Sequence, residues 1–233
     1  MLIIKLVDMR IGMRHEYEAV KIQCEDYLDR GTPEFVVSAT KNEILEEQKK
    51  AGACFSLGVC ESYVLFRKIC EKMVEYNGFF FHSAVVMMDG SAYAFSGESG
   101  TGKTTHANLW CTYFEERAKI LNGDKPIICW TGNEFYAYGT PWCGKEGQAI
   151  NTAAPLKGIC FLQQGEENKI VRMTPGTVLP QFLSQTVIPK ERDKVALLLT
   201  LFEQLIKTVP CYQLKCNISE EAVKVAYERL SDH

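Results

Sequence analysis

The chain has 233 residues, of which 46% are hydrophobic and 24% charged, with a net charge of −3. These are ordinary globular values that give no reason to expect a nucleic-acid or membrane-surface binder, and no apolar run approaches the ~18–20 residues of a membrane span. The length suits one large domain, or a main domain with a smaller companion.

Ten cysteines form no C-x-x-C pair. Most sit among apolar neighbours (Cys24, Cys60, Cys70, Cys129, Cys160), as reduced thiols that pack like small hydrophobes. Zinc-ligand spacings are missing. The start, Met1 to Asp8, is broken by Lys5 and Asp8 and lacks the apolar core and cleavage site of a signal peptide, so it reads as a first strand and the expected location is cytoplasmic.

In chain order, residues 1–76 read as an α+β N-terminal unit and residues 77–233 as the main domain. After the first strand comes a helix from about Glu16 to Leu28, then a strand over Pro33–Ser38. Thr40-Lys41-Asn42-Glu43 has capping-box spacing and opens a charged helix through Lys50. A longer helical pattern runs from Leu57 to Tyr76 and stops at Asn77-Gly78. Nothing in this unit suggests chemistry.

The main domain opens with Phe79–Met88, Asp89-Gly90 and Ser91–Ser96, a strong hairpin signal. A glycine-rich loop follows, and then a helix over Thr104–Glu116. A short apolar run, Lys119–Leu121, leads to the turn Asn122-Gly123-Asp124. Ile127–Trp130 and Glu134–Tyr138 form a second hairpin. Gly158–Gln163 and Lys169–Met173 are expected to form a third. Helices over 176–185 and 190–207, a strand at Cys211–Lys215 and a final helix capped by Ser219 complete the chain.

The chemistry gathers at Gly97-Glu98-Ser99-Gly100-Thr101-Gly102-Lys103-Thr104, which fits the phosphate-loop pattern G-x-x-x-x-G-K-[ST]. Its glycines let backbone N–H groups turn inward onto phosphate oxygens. In that pattern Lys103 reaches the outer phosphates and Thr104 ligands Mg²⁺; the helix N-terminus, including Thr105, adds its dipole. A chance Gly-rich turn is disfavoured, because an apolar run enters the loop and a helical pattern leaves it. The strand feeding the loop is the second arm of a hairpin, which points to a mixed, largely antiparallel sheet rather than the parallel core of the common P-loop folds.

Other candidates carry weaker signals. Asn122-Gly123-Asp124 favours a turn by itself; beside a phosphate loop, Asp124 becomes a carboxylate for Mg²⁺ or for an acceptor hydroxyl. His82, after three phenylalanines, reads locally as a packed, hydrogen-bonded residue. Thr140, Gly144 and Lys145 lie in a Gly/Pro-rich stretch that reads equally as a loop closing over a phosphate or substrate and as plain surface.

Taken together, His82, the loop with Ser99-Gly100 in place, and Gly123-Asp124-Lys125 resemble the kinase domain of HPr kinase/phosphorylase and its short relatives on the phosphoenolpyruvate-carboxykinase-like fold. Gly139-Thr140-Pro141-Trp142-Cys143-Gly144-Lys145 resembles a loop of the short bacterial members. The likeness covers about Phe79 to Met173 and does not extend to the N-terminal unit. It implies ATP as the nucleotide and a hydroxyl-bearing acceptor: a serine of a small protein, a peptide or a metabolite. It also implies catalytic roles for His82, Lys103 and Asp124, with Mg²⁺ shared by Thr104 and Asp124, and assembly into a homo-oligomer. One departure matters: the first acidic position of the family's pair is Gly123 here, which puts full activity and any phosphorylase activity in question. The alternative reading is a catalytically weakened nucleotide-binding regulator or maturation partner.

Overall fold

The structure is a computed structural model that describes residues 1–51 and 54–231. It contains two compact units, Met1–Met73 and Val74–His233.

In the first unit, β1 (Leu2–Leu6) and β2 (Met9–Arg14) pair antiparallel, and β2 pairs in parallel with β3 (Phe35–Ser38). The sequence reading missed β2 because its turn, Val7-Asp8, adopts left-handed φ of 51° and 61° with no Asn or Gly to announce it. The expected helix from Glu16 to Leu28 is shorter: α1 (Glu18–Gln23) gives way to a single 3-10 turn over Glu25–Tyr27. In α2 (Lys41–Lys50) the expected capping box is formed, with Glu43 N–H donating to Thr40 Oγ1 and Thr40 N–H to the Glu43 carboxylate. α3 (Leu57–Met73) closes the unit.

The second unit is a mixed α/β structure. Its sheet has nine strands among the described residues: β4 (Gly78–Phe80), β5 (Ser83–Met88), β6 (Ser91–Ser96), β7 (Ala118–Asn122), β8 (Ile127–Trp130), β9 (Phe135–Tyr138), β10 (Ala153–Gln164), β11 (Lys169–Arg172) and β12 (Cys211–Cys216). β5 and β6 form the expected antiparallel hairpin, with Asp89 and Gly90 at φ 48° and 79°. On its other edge β6 pairs in parallel with β10, so the sheet is mixed at the strand that feeds the glycine-rich loop.

The third expected hairpin does not form. β12 lies between its two arms, parallel to β10 and antiparallel to β11. Local turn chemistry between 164 and 169 could not reveal this, since the intervening strand arrives from more than forty residues downstream. The long apolar run at 79–88 is also broken: Phe81 and His82 interrupt it, leaving β4 to pair with β8 and β5 with β6 and β7.

Strand alternation sends side chains to two faces. Phe81, Val85, Ala94, Ile159 and Phe161 pack against α5 (Pro175–Ser184) and α6 (Arg192–Thr208), whose Phe182 and Phe202 rings stack 5.3 Å apart. Val86, Tyr93, Phe95, Cys160 and Leu162 face α4 (Lys103–Phe114) and α7 (Glu220–Leu230). Trp110 of α4 is fully buried there, between Tyr93, Phe95 and Phe114. The sheet is thus packed between two helical layers.

Candidate functional site

Strand register decides what meets at one end of the sheet. Ser83 at the start of β5 is opposite Ser96 at the end of β6. Val85, two residues on, faces Asn122 at the end of β7. Phe161, near the end of the parallel β10, is level with Ser96. His82, the loop from Gly97 and the turn to Asp124 therefore emerge at the same edge.

The loop between β6 and α4 is bent by Gly97, Gly100 and Gly102, at φ 145°, 83° and 99°. These are left-handed values that side-chain-bearing residues rarely adopt. A Cβ at Gly97 would also stand 3.2 Å from the Leu162 carbonyl oxygen. The Lys103 ammonium donates to the carbonyls of Gly97 at 2.9 Å and Glu98 at 3.1 Å, and Gln164 Nε2 donates to Gly100 O at 3.0 Å. Burial lowers the Lys103 pKa; the Asp124 charge opposes that shift and the Lys125 charge adds to it. The lysine thus shares an electrostatic environment with the turn at 124–125. Thr104 is half-buried in the first turn of α4, while Glu98, Ser99 and Thr105 are exposed.

Beside the loop stands a charged cluster. His82 Nε2 lies 3.1 Å from Asp124 Oδ1, and Lys125 Nζ donates to Asp124 Oδ2. Burial would raise the Asp124 pKa, but the hydrogen bonds from His82 and Lys125 and their charges outweigh it, and the pKa falls to about 2. Asp124 is held as an anion throughout the neutral range. The turn carrying it is fixed by Asn122, fully buried, whose Oδ1 accepts from the N–H groups of Asp124 (2.9 Å) and Lys125 (2.7 Å). This Asx arrangement is the physical content of the Asn-Gly-Asp turn signal.

The stretch from 139 to 147 divides. Thr140 is completely buried, and its hydroxyl donates to Lys125 O at 2.7 Å while accepting from Asn122 Nδ2. It braces the turn from beneath, so the expectation that it faces a phosphate is corrected. Gly144 packs over the carboxylate, its missing Cβ 3.1 Å from Asp124 Cβ. Lys145 is exposed.

Gly123 now has a steric explanation. A Cβ there would come 2.9 Å from the Cys143 carbonyl oxygen, and Gly123 N–H donates to Gln148 O at 3.0 Å. The overlying loop occupies the space an acidic side chain would need. Gly123→Asp is accordingly expected to destabilise the protein by about 1–3 kcal/mol, as overpacking does, and not to raise activity. Chemical denaturation checks the first expectation; a stable, more active variant would refute both.

Two cavities flank these groups. One, of about 460 Å³, is lined by Thr101, Thr105, Leu109, Leu162, Cys216 and Ile218. The other, of about 290 Å³, is lined by Phe80, His82, Lys125 and the Ser184–Val187 segment. Gln185, which no sequence signal marked, enters the site here, 103 residues from the His82 it touches.

The model for the SynChlorMet cassette protein ScmC matches residues 56–225, more than half of the chain. The chain belongs to the ScmC family. The matched span runs from α3 into α7 and contains every member of the cluster above. No curated protein matches this ScmC-family chain. Among solved structures it is similar to the HPr(Ser) kinase/phosphatase from Coxiella burnetii, at 10% identity and a TM-score of 0.38, over 65% of this chain and 97% of that one; the likeness is loose. Among the described residues, no helix is long and apolar enough to cross a membrane, and no group of three or more His, Cys, Asp or Glu residues gathers as a metal cluster would require.

Proposed function

We propose that this ScmC-family chain is an ATP-dependent phosphotransferase that moves the γ-phosphoryl group to an alcohol. One observation carries the reading: a phosphate-loop sequence and a His82–Asp124–Lys125 cluster meet at one end of the sheet. The sequence resemblance to the HPr kinase domain supports it. In this reading the loop's N–H groups and Lys103 hold the phosphates. Thr104 Oγ1 and the ionised Asp124 carboxylate are hard oxygen donors of the type Mg²⁺ takes, and the ion would neutralise charge on the phosphates. The acceptor oxygen forms a bond to the γ-phosphorus as the bond to the β-phosphate oxygen breaks, and ADP leaves with that electron pair. A pKa of about 2 makes Asp124 a weak base. A loose transition state asks little of one: Asp124 aligns the hydroxyl and takes its proton late, once the new P–O bond forms.

The 460 Å³ cavity beside the loop offers the base an apolar slot between Leu109, Leu162 and Ile218. Ile218 is 78% exposed, and a flat ring would cover it. Cys216→Trp, which fills the slot, is expected to weaken Mg-ATP binding about tenfold or more, as loss of a buried aromatic contact does, and to leave Mg-tripolyphosphate binding intact. Calorimetry with both ligands decides this. Equal loss of the two would place the slot's role elsewhere.

The second reading, a nucleotide-binding protein that does not turn over, is favoured by the single carboxylate at Asp124. Tight Mg-ATP binding that Lys103→Ala abolishes, with no ADP formed, would select it over the phosphotransferase.

A further inference from the structure

The Ser184–Val187 turn, which closes α5, contacts His82 through both its main chain and a side chain. His82 N–H donates to Gln185 O at 2.7 Å, and His82 Nδ1 lies 2.9 Å from Gln185 Oε1. The amide's orientation is set from its other end, where Nε2 donates to Ser184 Oγ at 3.2 Å. Gln185 is 7% exposed. The imidazole is thus held between two oxygen acceptors, Gln185 Oε1 and Asp124 Oδ1. Both are filled only when both ring nitrogens carry protons.

The same turn lines the 290 Å³ cavity together with Phe80, His82 and Lys125. That volume holds roughly ten waters, enough for one side chain or a small polyol and too little for a folded surface. Thr186 Oγ1 in this wall is buried and has no hydrogen-bond partner, an arrangement that calls for an explanation in a native protein. Turned toward the cavity by rotation of the Thr186 side chain, the hydroxyl would find its partner in a ligand hydroxyl or amide.

We infer that the Ser184–Val187 turn is the acceptor subsite, taking a single alcohol-bearing group between Phe80 and Val187, and that Gln185 is a positioning residue coupling that subsite to the His82 ring. The inference rests on the phosphotransferase reading, since it supplies that reaction's second substrate. Thr186 Oγ1, rotated toward the cavity, bonds the incoming group. Gln185 keeps His82 turned toward Asp124, so the alcohol meets an ordered His82–Asp124 contact. An extended segment and a small molecule present the same chemistry here.

The test uses the whole chain with ring-¹⁵N histidine and a non-hydrolysable Mg-ATP analogue, with His82 assigned from His82→Gln. N-acetyl-L-serinamide and free L-serine are the probes; a response to the first alone indicates an acceptor within a peptide, and to the second alone a free metabolite. Either probe is expected to shift the His82 ring nitrogens in the wild type. Thr186→Val, which removes a buried unpaired hydroxyl and costs the fold nothing, is expected to weaken the probe about fivefold, the worth of one hydrogen bond. Val187→Trp is expected to abolish the response while the analogue still binds. Gln185→Leu is expected to move the His82 ring resonances at fixed pH without any probe, and Gln185→Glu, which keeps an oxygen acceptor at that position, to bring them back toward the wild type. Asp124, Lys125 and Lys103 are unchanged in every variant. Analogue binding with no response at His82 to either probe would overturn the inference alone, as would unaltered His82 ring resonances in Gln185→Leu. Absence of analogue binding would bring down the phosphotransferase reading as well.

Discussion

Lys103→Ala is expected to weaken Mg-ATP binding by about a hundredfold or more, the scale on which phosphate-clamp cations act. The lysine does two things in this structure. Its ammonium bonds the Gly97 and Glu98 carbonyls at 2.9 and 3.1 Å, closing the mouth of the loop on itself. It is also the loop's own cation, and on the phosphotransferase reading phosphate oxygens would replace those carbonyls as its partners. Burial lowers its pKa and the Asp124 charge opposes that shift, so an anion entering the loop would strengthen the charged form further. Lys103→Arg is not expected to rescue binding, because a planar fork does not replace a point charge at a site ringed by backbone. Titration calorimetry checks this. Wild-type affinity in Lys103→Ala would mean that nucleotide, if bound, sits elsewhere.

Asp124→Asn is expected to cut turnover by about 10²–10³-fold, the usual consequence of removing one charged group that acts in the transition state, with Mg-ATP affinity changed far less. The amide keeps the volume and can still accept one hydrogen bond. It loses the charge that balances Lys125, and with it the anion that, on the phosphotransferase reading, would orient the acceptor. The substitution also has a signature in stability. The Asp124 pKa is lowered from 3.8 to about 2 in the folded protein. A depressed carboxyl contributes stability that is present above its unfolded pKa and lost as pH falls through the folded one. In wild type that contribution should therefore fade between about pH 4 and pH 2, and in Asp124→Asn the corresponding step should be missing. Denaturation across that range, with turnover at neutral pH, separates the charge's role in the fold from its role in chemistry.

The sequence made some of this site legible and hid the rest for identifiable reasons. The loop was readable because its residues each have one physical task, and Asp89-Gly90 was readable because both positions need left-handed φ. The mixed sheet followed from that hairpin. Asn122 was read as part of a turn; that its side chain is the turn's anchor needed the burial that only the folded sheet supplies. Gly123 looked like a lost acidic residue, and the Cys143 carbonyl above it shows a space already filled. Thr140 was misplaced because a glycine-bracketed loop gives no sign of which side chains point inward. Gln185 carried no signal at all: its partner is 103 residues away, and the contact exists only because α5 packs on the face of the sheet from which Phe81 points. The failed hairpin at 158–173 has the same cause, a long-range insertion by β12.

The most direct test is a ³¹P NMR time course of Mg-ATP with wild type and with Asp124→Asn, water serving as the acceptor where no alcohol is added. ADP and inorganic phosphate are expected to accumulate with the wild type and at least about a hundredfold more slowly with the variant. Intact ATP with both proteins, or equal rates with both, would contradict the phosphotransferase reading.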